Sequence, residues 1–318
     1  MPATPALLRA AVLTAAALLT TATATAATAT ASAVPVSPAA SPRSVSAPEP
    51  DTAPEPDTAP DTAPDNAPDT APDAAPGAAY KAAHDTLGPQ RLTPAQREQA
   101  AAKQVKAEAS YAKALGLRTV GLLAGYKLSG GIQQPQQTSY WCGPAMLVAA
   151  QSAHDEVGGR SQQDAATLLK TNTSGTAWYG IDINVPSPTG YPVADALNSR
   201  LPGAGYVPNA LPYTPTAADK TAFKQHITHD TDNDYAIAGN AWEVPGGPHL
   251  VGHPNIEIFH WVAVDGYNTD TAAGEVDYLD PVGGVSTGVI SWAGSVPKSA
   301  HISSDTLTTI MGGRGYVW

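Results

Sequence analysis

Two hydrophobic periods run along this chain, and the change between them falls near residue 234. Before it, apolar positions recur at helical spacing. "CGPAMLVAAQSAHDEVGG", from Cys142, reads as a loop entering an apolar helix that stops at Gly158-Gly159. "SQQDAATLLKT" predicts a second helix, with Ser161 as its cap and Asp164 three residues on. "YPVADALNSRL" and "TPTAADKTAFKQHITHD" predict two more. From Asp234 the pattern turns to short alternating runs punctuated by Gly, Asn and Pro. "DYAIAGNAWEV", "NIEIFHWVAVDGYN", "GEVDYLDPV", "TGVISWAG" and "LTTIMGGRGYVW" all read as strands. Helices first and strands afterwards predict an α+β domain with a helical half and a sheet half, and a cleft between them.

Upstream, "TPAQREQAAAKQVKAEASYAKALGL" (Thr93–Leu117) predicts a long helix. Thr93 can cap it, Pro94 suits its first turn and Gln96 completes a capping box. Its apolar face is thin, so helicity rests on Ala and straight side chains. Residues 80–126 therefore read as an ordered helical stalk, or as a propeptide whose basic face covers the cleft. Residues 34–79 repeat "DTAP" from Asp51 with close variants. Proline at about every fourth position blocks helix and ladder bonding, so this stretch reads as a disordered Pro/Ala/Asp-rich linker. Residues 1–33 pair Arg9 with the apolar "AAVLTAAALL" and small-residue sites such as Ala31-Ser32-Ala33. That layout is a secretory signal peptide, and it predicts a secreted protein in the extracellular or cell-wall space. No later run is long and apolar enough to predict a membrane anchor.

Charge narrows the partners. The chain carries a formal net charge of −11, and residues 127–318 hold eight basic against seventeen acidic side chains. An acidic domain argues against nucleic acid.

Cys142 is the only cysteine. Without a partner thiol it is a buried inert group, an intermolecular link or a reactive centre. It precedes Gly143-Pro144 at the expected start of a helix, where the positive end of the dipole favours thiolate. Gly143 would let a substrate backbone approach. Gln136, six residues upstream, can supply a side-chain N–H to an oxyanion beside the Cys142 amide. Among eight histidines, His260 alternates with Ile256, Ile258, Val262 and Val264 on one strand face. A buried imidazole there needs a partner, and an ion pair with the thiolate meets that need. His226 and His229 read as an exposed helix end, and His301 as part of a late loop. Asp280 ends the next strand and can orient His260 from one strand away; Asp265, in an exit turn, is the weaker candidate. The loop Trp242–Asn255 could flank the cleft, and its His249/His253 pair invites a zinc reading. Pro and Gly break its spacing and no further Cys or acid cluster helps, so neither metal nor cofactor is expected.

"QQTSYWCGPA", "HWVAVDGYN" and "YLDPVGG", in that order, resemble the double-glycine leader peptidase-like family of papain-like cysteine peptidases across roughly residues 130–290. The resemblance implies a papain-like two-part domain over residues 127–318. Its helical half carries Cys142 as nucleophile, and its antiparallel sheet half carries His260 as base and acid and Asp280 as orienter. Gln136 becomes the oxyanion donor. It implies a peptidase acting on a peptide or protein substrate, which the signal-like residues 1–33 would make a secreted one, with cell-wall association open. The chain departs from the family's leader-cleaving members, which sit on the cytosolic side of exporters. Two other readings share the sequence: an amidase or transpeptidase using the same thiol, and a catalytically inactive binding module on a stalk.

Overall fold

β4 (Ile258–Asn268) is the axis of the molecule, and its alternating side chains serve two different cores. Trp261 and Ala263 pack with one cluster, Val262 and Val264 with the other. A computed structural model describes residues 75–87, 92–122, 125–180 and 188–318. The expected signal peptide at 1–33 and the expected linker up to residue 74 lie outside them. The described elements in chain order are α1 (Ala78–His84), α2 (Pro94–Thr119), β1 (Tyr126–Leu128), α3 (Cys142–Asp155), α4 (Gln162–Leu169), α5 (Pro192–Arg200), β2 (Pro208–Ala210), α6 (Ala217–Asp232), β3 (Ile237–Glu243), β4, β5 (Glu275–Leu279), β6 (Ser299–Ser303), α7 (Ser304–Ile310) and β7 (Gly315–Val317). The fold is mixed α+β, with seven α-helices and one antiparallel sheet of seven strands among the described residues.

The sheet runs β2-β7-β3-β4-β5-β6, with β1 pairing the far end of β4. Both faces are covered. α3, α4 and α5 bury Met146, Leu147, Leu169 and Leu197 with Trp261 and Ala263. On the other side Phe223 and Ile227 of α6 join Leu307 and Ile310 of α7 against Val262, Val264 and Tyr278. Each face buries several large side chains, and each such side chain stabilises by roughly 1.5–3 kcal/mol.

Local rules place most elements. Ser161 caps α4 by accepting from Asp164 N, and Thr216 with Asp219 forms a capping box on α6. Two expected strands are not strands. "TGVISWAG" forms turns and a short 3₁₀ segment at Ala293–Ser295. Its Ile290 and Ala293 join Val282, Val285 and Val296 in a small satellite core, so its apolar residues pack within a loop instead of along a sheet. "LTTIMGGRGYVW" divides. Leu307, Ile310 and Met311 stand at helical spacing at the end of α7, and only Gly315–Val317 pairs with β2 and β3. His301 lies in β6, not in a loop.

The capping box on α2 forms as its sequence predicts. The helix does not stand free as a stalk. It packs on α6, burying only Ala107 and Ala114 among its apolar residues, and polar contacts do the rest. Lys103 Nζ lies 3.0 Å from the buried Asp230 Oδ1 and over the ring of Trp318. Gln104 donates to Gln225 at 2.7 Å. This contact buries His226 and half-covers His229, so that helix end is not exposed; His226 stacks on Trp318 at 3.4 Å. α1 is tied equally firmly. Lys81 Nζ donates to the carbonyls of Thr309, Ile310 and Gly312 at the end of α7, and Asp85 meets Arg314 at 3.2 Å. None of the described helices is long and apolar enough to cross a membrane.

Docking of α2 through a buried ion pair has a measurable cost. Lys103→Ala strands the Asp230 charge and should lower unfolding stability by about 3 kcal/mol. Urea denaturation of the full chain measures this, and an unchanged midpoint would show that the ion pair contributes nothing to the docking of α2.

Candidate active site

α3 begins at Cys142 itself, with Trp141 at the cap position and no side chain capping the end. The sulfur and the amides of the first turn thus stand at the positive end of a 14-residue helix. Gly143 is also required here for packing. A Cβ at that position would overlap the side chain of Thr176. Thr176 is itself held from the sheet, because Trp261 Nε1 donates to its carbonyl at 3.0 Å. β4 therefore fixes the height of the helix that begins at Cys142 through one threonine.

The loop before α3 is stitched to the turn after β5. Gln136 N donates to Pro281 O at 2.8 Å. Gln133 Nε2 donates to Asp280 O at 2.7 Å and to Gly283 O at 2.8 Å. Gln162 of α4 closes the loop from the other side, donating to Pro135 O and accepting from Gln137 N. These glutamines divide the work: Gln133 and Gln162 are structural ties, while the Gln136 side chain lines the cleft. Its Nε2 donates to Thr138 O at 2.7 Å, leaving one amide N–H for another acceptor. Its buried Oε1 finds no partner among the described residues.

The cleft encloses about 170 Å³ and is lined by Gln136, Tyr140, Cys142, Ser174, His260 and Trp292 among others. His260 and Asp280 meet behind it. The β4–β5 register pairs Ala263 with Leu279, and one further step sets Asp280 opposite Val262, diagonal to His260. His260 Nε2 lies 2.9 Å from Asp280 Oδ1, which also accepts from Val282 N at 2.8 Å. That fixes Nε2 as the nitrogen facing the carboxylate and leaves Nδ1 for the cleft that His260 shares with Cys142. Burial alone would pull the His260 pKa down. The Asp280 charge and hydrogen bond, with the Cys142 bond and charge, outweigh it and push the value up to about 10. Burial likewise opposes ionisation of Asp280, but the two imidazoles that face it hold it well below the usual carboxylate range.

The second of those imidazoles is His253. Its Nε2 lies 3.0 Å from Asp280 Oδ2 and its Nδ1 2.7 Å from Glu243 Oε1. His253 stands in the Gly/Pro loop after β3, and its side chain is buried behind His260, with ring centroids 5.3 Å apart. Nothing in local periodicity marks it, because a loop residue's partners are set by tertiary packing. His253, His260 and Asp280 offer three metal-ligating atoms within 4.8 Å of one another. The Nε2 atoms of His253 and His260, however, each face a different oxygen of Asp280 at hydrogen-bond length, and these side chains are almost wholly buried, so we read the group as hydrogen-bonded. Asp265 does not approach this group. It is the extra residue of a bulge between Val264 and Gly266 and pairs with Asp277. Burial and the Asp277 charge raise its pKa far above the carboxylate range, and its Oδ2 accepts from Gly131 N.

The site thus brings together all four residues read from sequence: Cys142, Gln136 and His260 on one cleft, Asp280 directly behind. Compared with known protein families, curated proteins and solved structures, the chain gives no match.

Because Gly143 serves packing, its substitution should be rescuable. Gly143→Ala should destabilise the domain by about 1–3 kcal/mol, and adding Thr176→Gly, which removes the overlapped Cβ together with Oγ1, should recover part of the loss. Thermal melts of both variants test this; an additive double variant would refute the contact.

Proposed function

We propose that residues 127–318 form a papain-like cysteine peptidase domain that hydrolyses peptide bonds in extracellular peptide or protein substrates. The observation that carries this reading is the convergence of Cys142, His260 and Gln136 on one cleft, with Asp280 bonded to the far nitrogen of the imidazole. In this reading the helical layer of α3–α5 and the β3–β5 sheet are the two parts of a papain-like arrangement. The ordered motifs in the sequence and the signal-like residues 1–33 support the family and the extracellular setting.

The chemistry follows from the geometry. His260 keeps a proton while Cys142 gives one up, because the imidazolium sits between two negative groups. The thiolate attacks the substrate carbonyl carbon and a C–S bond forms. The oxygen that becomes negative is met by the Cys142 amide and the remaining Gln136 N–H. His260 Nδ1 passes its proton to the leaving amine as the C–N bond breaks. It then takes a proton from water, whose oxygen attacks the thioester and releases the acid and the thiolate. Asp280 holds the ring in place throughout and offsets its charge. An amine in place of that water would make the same site a transpeptidase.

Beyond His260, no charged side chain lines the cleft among the described residues, and Ile258, Phe259, Ile290 and Trp292 make much of its wall. This supports uncharged peptide segments as substrates.

A thiol-directed epoxide should label the protein, and Cys142→Ala should abolish labelling. Gln136→Ala should lower turnover by about 100–1000-fold with little change in KM. Labelling that survives the cysteine substitution would sink the reading.

The raised His260 value also fixes a pH window. Its partnership with Asp280 stabilises the fold fully below the unfolded value of about 6.5 and loses that effect as pH rises through about 10. Turnover should hold through neutral pH and fall near pH 10, and thermal midpoints of wild type and His260→Ala should converge above it. A fall already complete near pH 7 would contradict the assignment.

A further inference from the structure

Asp280 is wholly buried, and so is Glu243 on β3, on the other side of β4. Two carboxylates in one dry interior repel each other and each lacks water, so something must neutralise them. The His253 ring lies between them, with its side chain fully buried. Nδ1 faces Glu243 Oε1 at 2.7 Å and Nε2 faces Asp280 Oδ2 at 3.0 Å. A neutral imidazole has one N–H and one acceptor nitrogen. Two ionised carboxylates offer only acceptors. Both ring nitrogens must therefore donate, unless a carboxyl keeps a proton. Asp280 is the poor choice for that proton, since His260 Nε2 and Val282 N already donate to its other oxygen.

Resting on the nucleophile reading above, we propose that His253 is a positioning residue: a permanently charged imidazolium that bridges Glu243 to Asp280 and keeps Asp280 ionised and aimed at His260. A continuous chain then runs Cys142–His260–Asp280–His253–Glu243. The far end is anchored by β3 and by the 249–255 loop. Glu243 Oε2 accepts from Leu250 N at 3.2 Å and lies 2.9 Å from His249 Nδ1, while His249 Nε2 lies 3.0 Å from Asn255 Oδ1.

The charges that face His253 are few and named. Glu243 comes from β3, His260 from β4 and Asp280 from the end of β5, while His249 reaches the far side of Glu243. Lys81 of α1 also feels the Glu243 charge. The Trp292 ring covers another side at 4.7 Å. Within this set His253 supplies positive charge that the thiolate at the near end of the chain requires. Bonds to Asp280 and Glu243 outweigh burial and hold its pKa above the ordinary histidine value.

The test uses the full chain. The pH midpoint of Cys142 ionisation is read from the rate of alkylation by iodoacetamide and from thiolate absorbance. His253→Asn removes the positive charge and should raise that midpoint by about one pH unit or more. Adding Glu243→Gln removes the stranded negative charge and should bring the midpoint back towards wild type. A merely structural histidine would lower stability in both variants without moving the midpoint and returning it. Should the variants not fold, the wild type still decides: in protein carrying ¹⁵N-labelled histidine, both ring nitrogens of His253 should stay protonated from pH 6 to pH 8. A neutral His253 across that range, or an unmoved midpoint in His253→Asn, overturns the proposal while leaving the peptidase reading intact. Slow, unactivated alkylation of the wild type overturns the nucleophile reading and this one with it.

Discussion

A single carboxylate with no access to water sets the terms for the rest of this structure. Asp280 is completely buried, and a bare charge there is far too costly to keep. It survives because three donors converge on it: His260, His253 and the amide of Val282. Each donor comes from a different place in the fold. Strand β4 supplies one, a long loop after β3 the second, and the turn after β5 the third. The requirement to satisfy Asp280 therefore couples the strand register, the loop path and the turn. Break one and the other two lose the reason for their arrangement.

The same turn also orders Cys142. Gln133 and Gln136 bond to the carbonyls of residues 280, 281 and 283, so the loop that leads into α3 is fixed to the carboxylate's own backbone. From the other direction Trp261, next to His260 in sequence, reaches Thr176, and Thr176 fills the space that Gly143 leaves open. Sulfur and imidazole come from elements more than a hundred residues apart. Besides the packing of α3 on β4, their relative position passes through two short routes, one polar and one of van der Waals contact. Neither route needs a cofactor or a disulfide, which suits a chain with one cysteine.

How much of this was readable beforehand depends on whether a signal is local. Helices α3, α4 and α6 carry their own starts and stops: Pro144 in a first turn, Ser161 over Asp164, Thr216 over Asp219. They were legible. Cys142, Gln136, His260 and Asp280 were legible too, because spacing and strand alternation constrain them. The misreadings share a cause. In "TGVISWAG" and "LTTIM" apolar and polar residues alternate over so few positions that helix, strand and packed loop fit equally well. Tertiary neighbours decided those cases: Val282 and Val285 drew Ile290 into a satellite core, and the sheet face drew Leu307 and Ile310 onto a helix. The strand β6 was missed because its sequence, Ser299–Ser303, is mostly polar and lies at the sheet's edge. His253 and Glu243 were illegible for the deepest reason. Their meaning lies in facing each other across a ring, and no periodicity records that.

That hidden layer bears on whether the molecule is a working enzyme or a binding module in an enzyme's shape. A recognition surface needs an exposed cleft; it has no need for buried charge behind it. Two carboxylates and two imidazoles in a dry interior cost stability that apolar residues of similar size would not, since replacing buried ion pairs by well-packed hydrophobic groups is often neutral or stabilising. The arrangement gains something only where an imidazole must stay charged and correctly turned beside a thiol. The deeper the buried chain runs behind His260, the harder it is to account for by folding alone. The structure carries that chain through Asp280 and His253 to Glu243, a whole strand away from the cleft. The interior chemistry, more than the lone cysteine at the surface of the cleft, is what argues for catalysis.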